Sequence, residues 1–435
     1  MPYQSWGNYP QVKHEVRSIY GRNELLDTST KLTILPYGQG RSYGDCCLND
    51  QGMIIETSHL DHFIQFDKAN GILTCEAGVT LDTILKFIVP DGWFLPVNPG
   101  TKFISIGGAI ANDIHGKNHH QAGTFGRFVR QFELLRSNGD RILCSPEKNV
   151  ELFQATIGGL GLTGLITWSE IQLKPIACPF IDVETIQFKN YEEFFELSAI
   201  SEKDFEYTVA WIDCLATSLS LGRGLFMRGN HHPTNIDHLK IPKIRHLSIP
   251  CFVPNFVLNH WTVKAFNTAY YLKQRKKITH TLVYYDSFFY PLDSILHWNK
   301  IYGKRGFFQY QCLVPYEPDL KAIQLLLEKI SRSGTASFLA VLKTFGNIPS
   351  PGMMSFPKKG VTLALDFANQ GLSTLQLFNE LDEIVLTYNG SLYPAKDARM
   401  SPKIFQTSFP QWKDFAKYID PKFSSSFWKR VSCEQ

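Results

Sequence analysis

Apolar positions follow two different rhythms along this chain. Up to about residue 177 the hydrophobic runs are short and broken by glycine. Lys31–Leu35, the stretch Gly38 to Gly44, and Gly52–Glu56 read as strand, loop and strand. Ile72–Glu76 is another β-type run, closed by Gly78, and Thr80 stands where a hydroxyl can satisfy an orphan N–H of a helix over Leu81–Val89. Asn138-Gly139 is expected to join Val129–Arg136 to Arg141–Cys144 as a hairpin, because that dipeptide accepts the left-handed backbone of a two-residue turn. A short helix over Asn149–Ile157 and a strand over Leu165–Leu173 follow, and a first domain is expected to end near Pro175–Pro179.

Beyond residue 180 the apolar runs lengthen. Strands are expected at Tyr207–Asp213, Leu282–Tyr285, Phe307–Val314, Ser337–Lys343 and Val361–Phe367, alternating with helices near 190–199, 318–331 and 372–387. That mixture predicts an α+β second domain on an antiparallel sheet. Residues 255–277 are aromatic first and then basic, ending at Lys273 to Lys277. The polar and aromatic tail after Gly390 is expected to fold back on the first domain. There is no internal repeat and no low-complexity tract.

Composition narrows the picture only a little. A chain of 435 residues calls for two or three domains, and 44% hydrophobic with 19% charged residues is an ordinary globular balance. A net charge of +4 gives no ground for a nucleic-acid partner. The nine cysteines are scattered, odd in number and without a C-x-x-C pair, so free thiols are expected, with no disulfide framework and no metal site. Neither a secretory leader nor an apolar run of about 18 residues occurs, which points to the cytoplasm.

The candidate chemistry sits in a few segments. Pro36-Tyr37-Gly38-Gln39-Gly40-Arg41-Ser42-Tyr43-Gly44 combines converging backbone N–H groups with a guanidinium and a hydroxyl, a composition for an anion. Gly107-Gly108-Ala109 removes side chains where a flat ligand or pyrophosphate could approach the backbone. Gly159-Leu160-Gly161-Leu162-Thr163-Gly164 matches G-x-G-x-x-G literally, but a helix precedes it and a strand follows. That inverts the Rossmann order and leaves a turn packed against something flat. His115 and His119 have i,i+4 spacing, yet Gly116 and Asn118 disfavour a helix there and no H-E-x-x-H carboxylate accompanies them. Lys396, Asp397 and Arg399 crowd four residues and read as a solvated turn or a site. Gln309 and Gln311 share one face of an apolar strand, turned to solvent or to a polar pocket wall.

Taken in order, the segments resemble the FAD-linked oxidases of the vanillyl-alcohol oxidase / p-cresol methylhydroxylase superfamily and, within it, the decaprenylphosphoryl-ribose 2-oxidase group. The resemblance rests on residues 38–45, Pro99-Gly100-Thr101, the block from Gly107 to His120, residues 156–164, 207–211 and 289–293, Gln309-Tyr310-Gln311, 341–343, and Ala395-Lys396-Asp397-Ala398-Arg399. It runs nearly end to end.

The resemblance implies a PCMH-type FAD-binding domain of two α+β subdomains over 8–177. A substrate domain over 178–390 with an antiparallel sheet flanked by helices would follow, and a C-terminal segment, 391–435, would return to the flavin. By motif matching, Pro36, Tyr37, Gly38, Gln39, Gly40, Arg41, Ser42, Tyr43, Gly44, Asp45 and Cys46 would cradle the pyrophosphate, supported by Gly100, Ser105, Ile106, Gly107 and Gly108. Asn112, Asp113, Ile114 and His115 would approach the isoalloxazine, with Ile166 and Tyr393 also on the cofactor, bound without a covalent link. Lys396 would handle the substrate proton beside His115, while Lys117, Gln309, Gln311, Lys343, Thr362 and Ala364 would line the substrate pocket.

The implied activity is oxidation of a secondary sugar hydroxyl, in a polyprenyl-phosphoryl pentose at its 2′-position, by hydride transfer to flavin N5 as the first half of an epimerisation. A soluble sugar-alcohol or aldonolactone oxidase using O2 is the alternative. A short-chain-dehydrogenase-type reductase partner would complete the epimerisation, and 255–277 is a candidate for peripheral contact with the inner face of the membrane. Two positions depart from the group: Ala364 replaces a cysteine and Phe289 replaces a tyrosine, both of which reshape the pocket.

Overall fold

The computed structural model describes residues 3–236, 241–242, 246–254, 256–316, 320–335 and 337–433. Three sheets organise these residues. Glu15–Ser18, Met53–Glu56 and Ile34–Tyr37 form a small parallel sheet with Met53–Glu56 in the centre. Phe63–Asp67, Ile72–Glu76, Leu165–Gln172, Val129–Leu135 and Arg141–Cys144 form a five-stranded antiparallel sheet in that order. The expected hairpin through Asn138-Gly139 is present, with Gly139 at φ 90°. Thr80 caps the helix Leu81–Ile88, its side chain accepting from the Thr83 amide at 3.2 Å. One face of that helix (Leu81, Ile84, Leu85, Ile88) is fully buried against the five-stranded sheet, which is the burial that stabilises it.

The largest sheet has eight antiparallel strands, ordered Ile278–Tyr284, Phe180–Phe188, Gly224–His231, Tyr207–Ile212, Ala340–Phe345, Gly360–Ala368, Phe307–Val314 and Ser391–Leu392. Helices Tyr191–Ser201, Lys321–Ser333 and Leu372–Thr387 bury Phe194, Leu326, Leu327, Phe378 and Leu381 in the same core as its central strands. The protein is therefore α+β, an antiparallel sheet flanked by helices joined to an N-terminal part built on the two smaller sheets.

Several boundaries move. The strand expected at Leu282–Tyr285 begins at Ile278, and that expected from Ser337 begins at Ala340. The helix expected over 318–331 spans Lys321–Ser333, residues 318 and 319 lying outside the described set. The central strand Gly224–His231 carries Gly224 and Gly229, poor strand formers in isolation. A Cβ on Gly229 would stand 2.6 Å from the Asp182 carbonyl, so close strand approach dictates the glycine there.

The tail does two things. Ser391–Leu392 first adds the edge strand to the eight-stranded sheet. The chain then crosses to the N-terminal sheets. Ile34 bridges Phe423, Arg136 Nε lies 3.1 Å from Asp420, and Arg430 reaches both Asp45 oxygens through Nε and Nη2.

Candidate active site

Where the sheets meet, a cavity of about 360 Å³ opens. The loop after Ile34–Tyr37 and the turn at Ser105–Gly108 form one wall. Glycine is required where they meet: a Cβ on Gly38 would fall 2.4 Å from Ser105 Oγ, and one on Gly107 would fall 3.0 Å from Ala77 Cβ. Ser105 is held by its own duty, accepting from the Gly108 amide at 3.2 Å. Arg41 points its guanidinium over the Trp6 ring, 4.0 Å from the centroid. Pro36, Gln39, Gly40, Ser42, Tyr43, Cys46 and Gly100 complete this end.

Deeper in, Asn112, Ile114, His115 and Ile166 line the cavity opposite Tyr393, whose hydroxyl donates to the Asn112 carbonyl at 3.0 Å. The Asn112 side-chain oxygen is buried without a partner. The Gly161 turn also reaches the wall, as expected of a turn packed against something flat. Gln311 Nε2 is 3.1 Å from His115 Nε2; an amide nitrogen only donates, so this imidazole nitrogen accepts and the ring proton sits on Nδ1. Burial, then the charges of Lys343, His119 and Lys396, drive the His115 pKa far below its usual value. The ring is neutral, suited to orienting a group and unable to supply positive charge.

The far end is built by the eight-stranded sheet and the tail. Lys396, Gln309, Gln311, Lys343 and Ala364 line it together with Lys117, although they come from five separate stretches of chain. Gln309 and Gln311 thus face a pocket wall, the second of the two orientations left open by their spacing. Lys396 Nζ sits 3.7 Å from the Tyr43 ring centroid. Lys117 Nζ donates to the Phe289 carbonyl at 3.3 Å and lies over the Phe288 and Phe289 rings. Burial lowers all three amines, Lys343 to about 8 and Lys117 to about 7, the latter helped by Lys343.

Six residues expected at the ligands stand behind the wall instead. Tyr37 gives its hydroxyl to the Gln4 carbonyl, and Ile106 is core. Gly44 is pressed on the tail, where a Cβ would lie 1.8 Å from the Asp397 carbonyl. Asp45 pairs with Arg430. Asp113 accepts from the Gly126 amide at 2.8 Å and from the hydroxyls of Ser350 and Ser355, pinning a distant loop. Thr362 accepts from Gln311 Nε2 at 3.2 Å and so orients the glutamine. His119 packs at a tilt against Phe345, ring centroids 4.3 Å apart, with both ring nitrogens unpartnered, away from the cavity wall.

Sequence reasoning missed Trp6, Asn98, Trp298 and Asp293 on the wall, and Asp366 just behind it. Trp6 and Trp298 meet edge to face at 5.6 Å although 292 positions separate them, and no local pattern announces such a pair.

A family model described as an FAD binding domain matches residues 26–145. The chain is 35% identical over 419 residues to decaprenylphosphoryl-beta-D-ribose oxidase of Mycolicibacterium smegmatis, covering 92% of this chain and 89% of that protein. Cytokinin dehydrogenase 9 of Oryza sativa subsp. japonica is 25% identical over 218 residues, 47% of this chain and 40% of that protein. A mitochondrial D-2-hydroxyglutarate dehydrogenase, named as probable, of Oryza sativa subsp. indica is 29% identical over 171 residues, 38% and 30% of the two chains.

Proposed function

Because the chain belongs to the decaprenylphosphoryl-β-D-ribose oxidase family of FAD-dependent oxidoreductases, we propose that it oxidises the 2′-hydroxyl of a polyprenyl-phosphoryl pentose to a ketone. Its cofactor is FAD. The cavity residues fit that group. Paired glycine turns leave room for a pyrophosphate beside Arg41, and the orphaned Asn112 amide oxygen awaits a donor in the neighbouring flat section. When bound, without a covalent link, FAD supplies the two-electron acceptor for the carbinol hydride.

The single observation that carries the substrate reading is the set of three amines, Lys117, Lys343 and Lys396, at the sheet end of one cavity. A free sugar gives no reason to bury so much latent positive charge; an anionic sugar does. In this reading Lys117 and Lys343 hold the phosphodiester. Gln309 and Gln311 receive the sugar hydroxyls, and the neutral His115 orients the ring. Lys396, its pKa pulled well down by burial, takes the hydroxyl proton as a free amine. The ketone would then pass to a separate hydride-donating reductase. Anaerobic titration with polyprenyl-phosphoryl pentoses and with free polyols, following flavin bleaching, tests this. Bleaching by simple polyols alone would select the soluble sugar-alcohol or aldonolactone oxidase instead.

A pH dependence follows. The phosphodiester stays anionic throughout, whereas Lys343 and Lys117 gain protons as pH falls through about 8 and about 7. Substrate is therefore expected to bind about tenfold more tightly at about pH 6 than at about pH 9. A dissociation constant, read from the flavin absorbance change, that is flat or weakens toward low pH would remove the two lysines from the anion site.

No helix among the described residues is long and apolar enough to cross a membrane. A lipid-linked substrate needs surface contact, and we assign it to helix His260–Lys273 and its approach. Phe256 (76%) and Trp261 (75%) are mostly exposed, as is Leu272, and Phe266 is about half exposed, with Lys264, Lys273, Arg275 and Lys276 exposed beside them. Residue 255, the first of the segment read from sequence, lies outside the described residues. Partition onto vesicles rich in phosphatidylserine is expected to fall about tenfold in a Phe256→Ser/Trp261→Ser double variant. Equal co-sedimentation of the variant and the parent would refute this surface.

A further inference from the structure

Asp366 is a buried carboxylate that the reaction outlined above does not use. It lies on Gly360–Ala368 directly across from Gln309 on Phe307–Val314. Gln309 Nε2 donates to its Oδ1 at 2.6 Å, while Oδ2 is buried with no hydrogen-bond partner. The Tyr302 hydroxyl lies close enough to the carboxylate to favour its ionised form, at a geometry looser than a full hydrogen bond. An enclosed carboxylate with one oxygen lacking a full hydrogen bond destabilises a fold, more so when it is charged. Core packing supplies no reason to keep it. The adjoining cavity does.

We propose that Asp366 is a positioning residue for the oxidation: it fixes the Gln309 amide at the cavity wall and places a negative charge where it governs the proton affinity of Lys396. This rests on the reading that Lys396 receives the substrate proton. The Lys396 side-chain amine makes no hydrogen bond among the described residues, and its surroundings divide by sign. Asp366 from Gly360–Ala368 is the strongest charge favouring its ammonium form, with a small contribution from Cys46 beside the glycine loop. Lys343 from Ala340–Phe345 opposes it, as does burial, and the neutral His115 and the Tyr43 ring complete the enclosure. Asp366 in turn faces Gln309, Tyr302, Tyr43 and Lys396. Without it, three amines would share a dry cavity end and Lys396 would hold its proton weakly. With it, the amine can keep the proton it receives. With bound FAD supplying the two-electron acceptor for the carbinol hydride, the substrate O–H bond would break, an N–H bond would form at Nζ, and the new ammonium would meet a carboxylate already in place. Asp366 touches neither substrate nor cofactor in this scheme; it acts through Gln309 and Lys396.

The test uses FAD-loaded Asp366→Asn, which keeps an acceptor oxygen for Gln309 and removes only the charge. Asp366→Ser serves as a second neutral variant should the amide fold poorly. Two quantities are read: the pH profile of anaerobic flavin reduction, and the pH midpoint for acetylation of Lys396 by acetic anhydride without substrate, followed by mass spectrometry. Both are expected to move acidward by about one pH unit or more, since losing a nearby opposite charge lowers an amine pKa. The direction is the same whether the amine accepts or donates. A labelling midpoint that stays in place or moves alkaline in folded, yellow protein overturns the proposal. If labelling shifts while the rate profile does not, the electrostatic assignment stands and the proton-acceptor role of Lys396 is what fails.

Discussion

Lys396→Ala is expected to yield folded, yellow protein whose anaerobic flavin reduction is slowed about 10³-fold, the loss typical of removing a positioned proton acceptor. Folding should survive because little leans on this side chain: its ammonium rests on the Tyr43 ring and makes no hydrogen bond among the described residues. Burial pushes the Asp366 carboxylate toward its neutral form and the Lys396 charge opposes this, so truncating the lysine lets Asp366 protonate and leaves no bare charge behind. FAD should stay, since the loops beside Gly38 and Gly107 are untouched. Lys396→Arg should be no better, because a guanidinium cannot give up its proton in a protein. Stopped-flow absorbance decides the matter, and reduction by the variant at close to the parent rate would rule out the proton-handling role.

Arg430→Ala should cost about 3 kcal/mol of stability near neutral pH, the scale of breaking a buried ion pair from one side. Arg430 Nε and Nη2 donate to the two Asp45 oxygens at 2.9 and 2.7 Å, and Nη2 also reaches Asp397 at 2.9 Å. Both carboxylates are buried, so removing the cation leaves two acids facing each other without a counter-charge. Burial already raises the Asp45 pKa and Arg430 holds it down. The variant should therefore recover part of its deficit as pH falls and Asp45 protonates. Urea unfolding with release of flavin fluorescence measures the change; a difference below about 0.5 kcal/mol would mean the clamp is ornamental.

Much of this architecture could be read from residue order alone, and the failures have identifiable causes. Local signals worked. Thr80 caps its helix, Asn138-Gly139 turns its hairpin, and the glycine loop lies on the cavity over residues 38–43. Alternation put Gln309 and Gln311 on one face and left only the choice of face open. The same rule applied to Gly360–Ala368 puts Asp366 in phase with Thr362 and Ala364, so a carboxylate in an apolar strand was a signal present and passed over. Strand Gly224–His231 escaped because its glycines answer to a neighbouring strand, and neighbours are not visible locally. Asp45 and Gly44 looked like ligand contacts because the motif is contiguous. Yet a tight loop can offer only one side to a ligand, and these two turn the other side toward the tail.

The path of the tail also orders events in time. A polypeptide leaving the ribosome presents its glycine loops early and can begin forming the sheets that carry them. The amine at position 396 and the guanidinium at 430 are made after the strands that will surround them. Until they emerge, nascent chains can gather the walls of the pocket but cannot lock them. If Lys396 handles the substrate proton as proposed, competence for chemistry waits until the segment carrying positions 396 and 430 has been made.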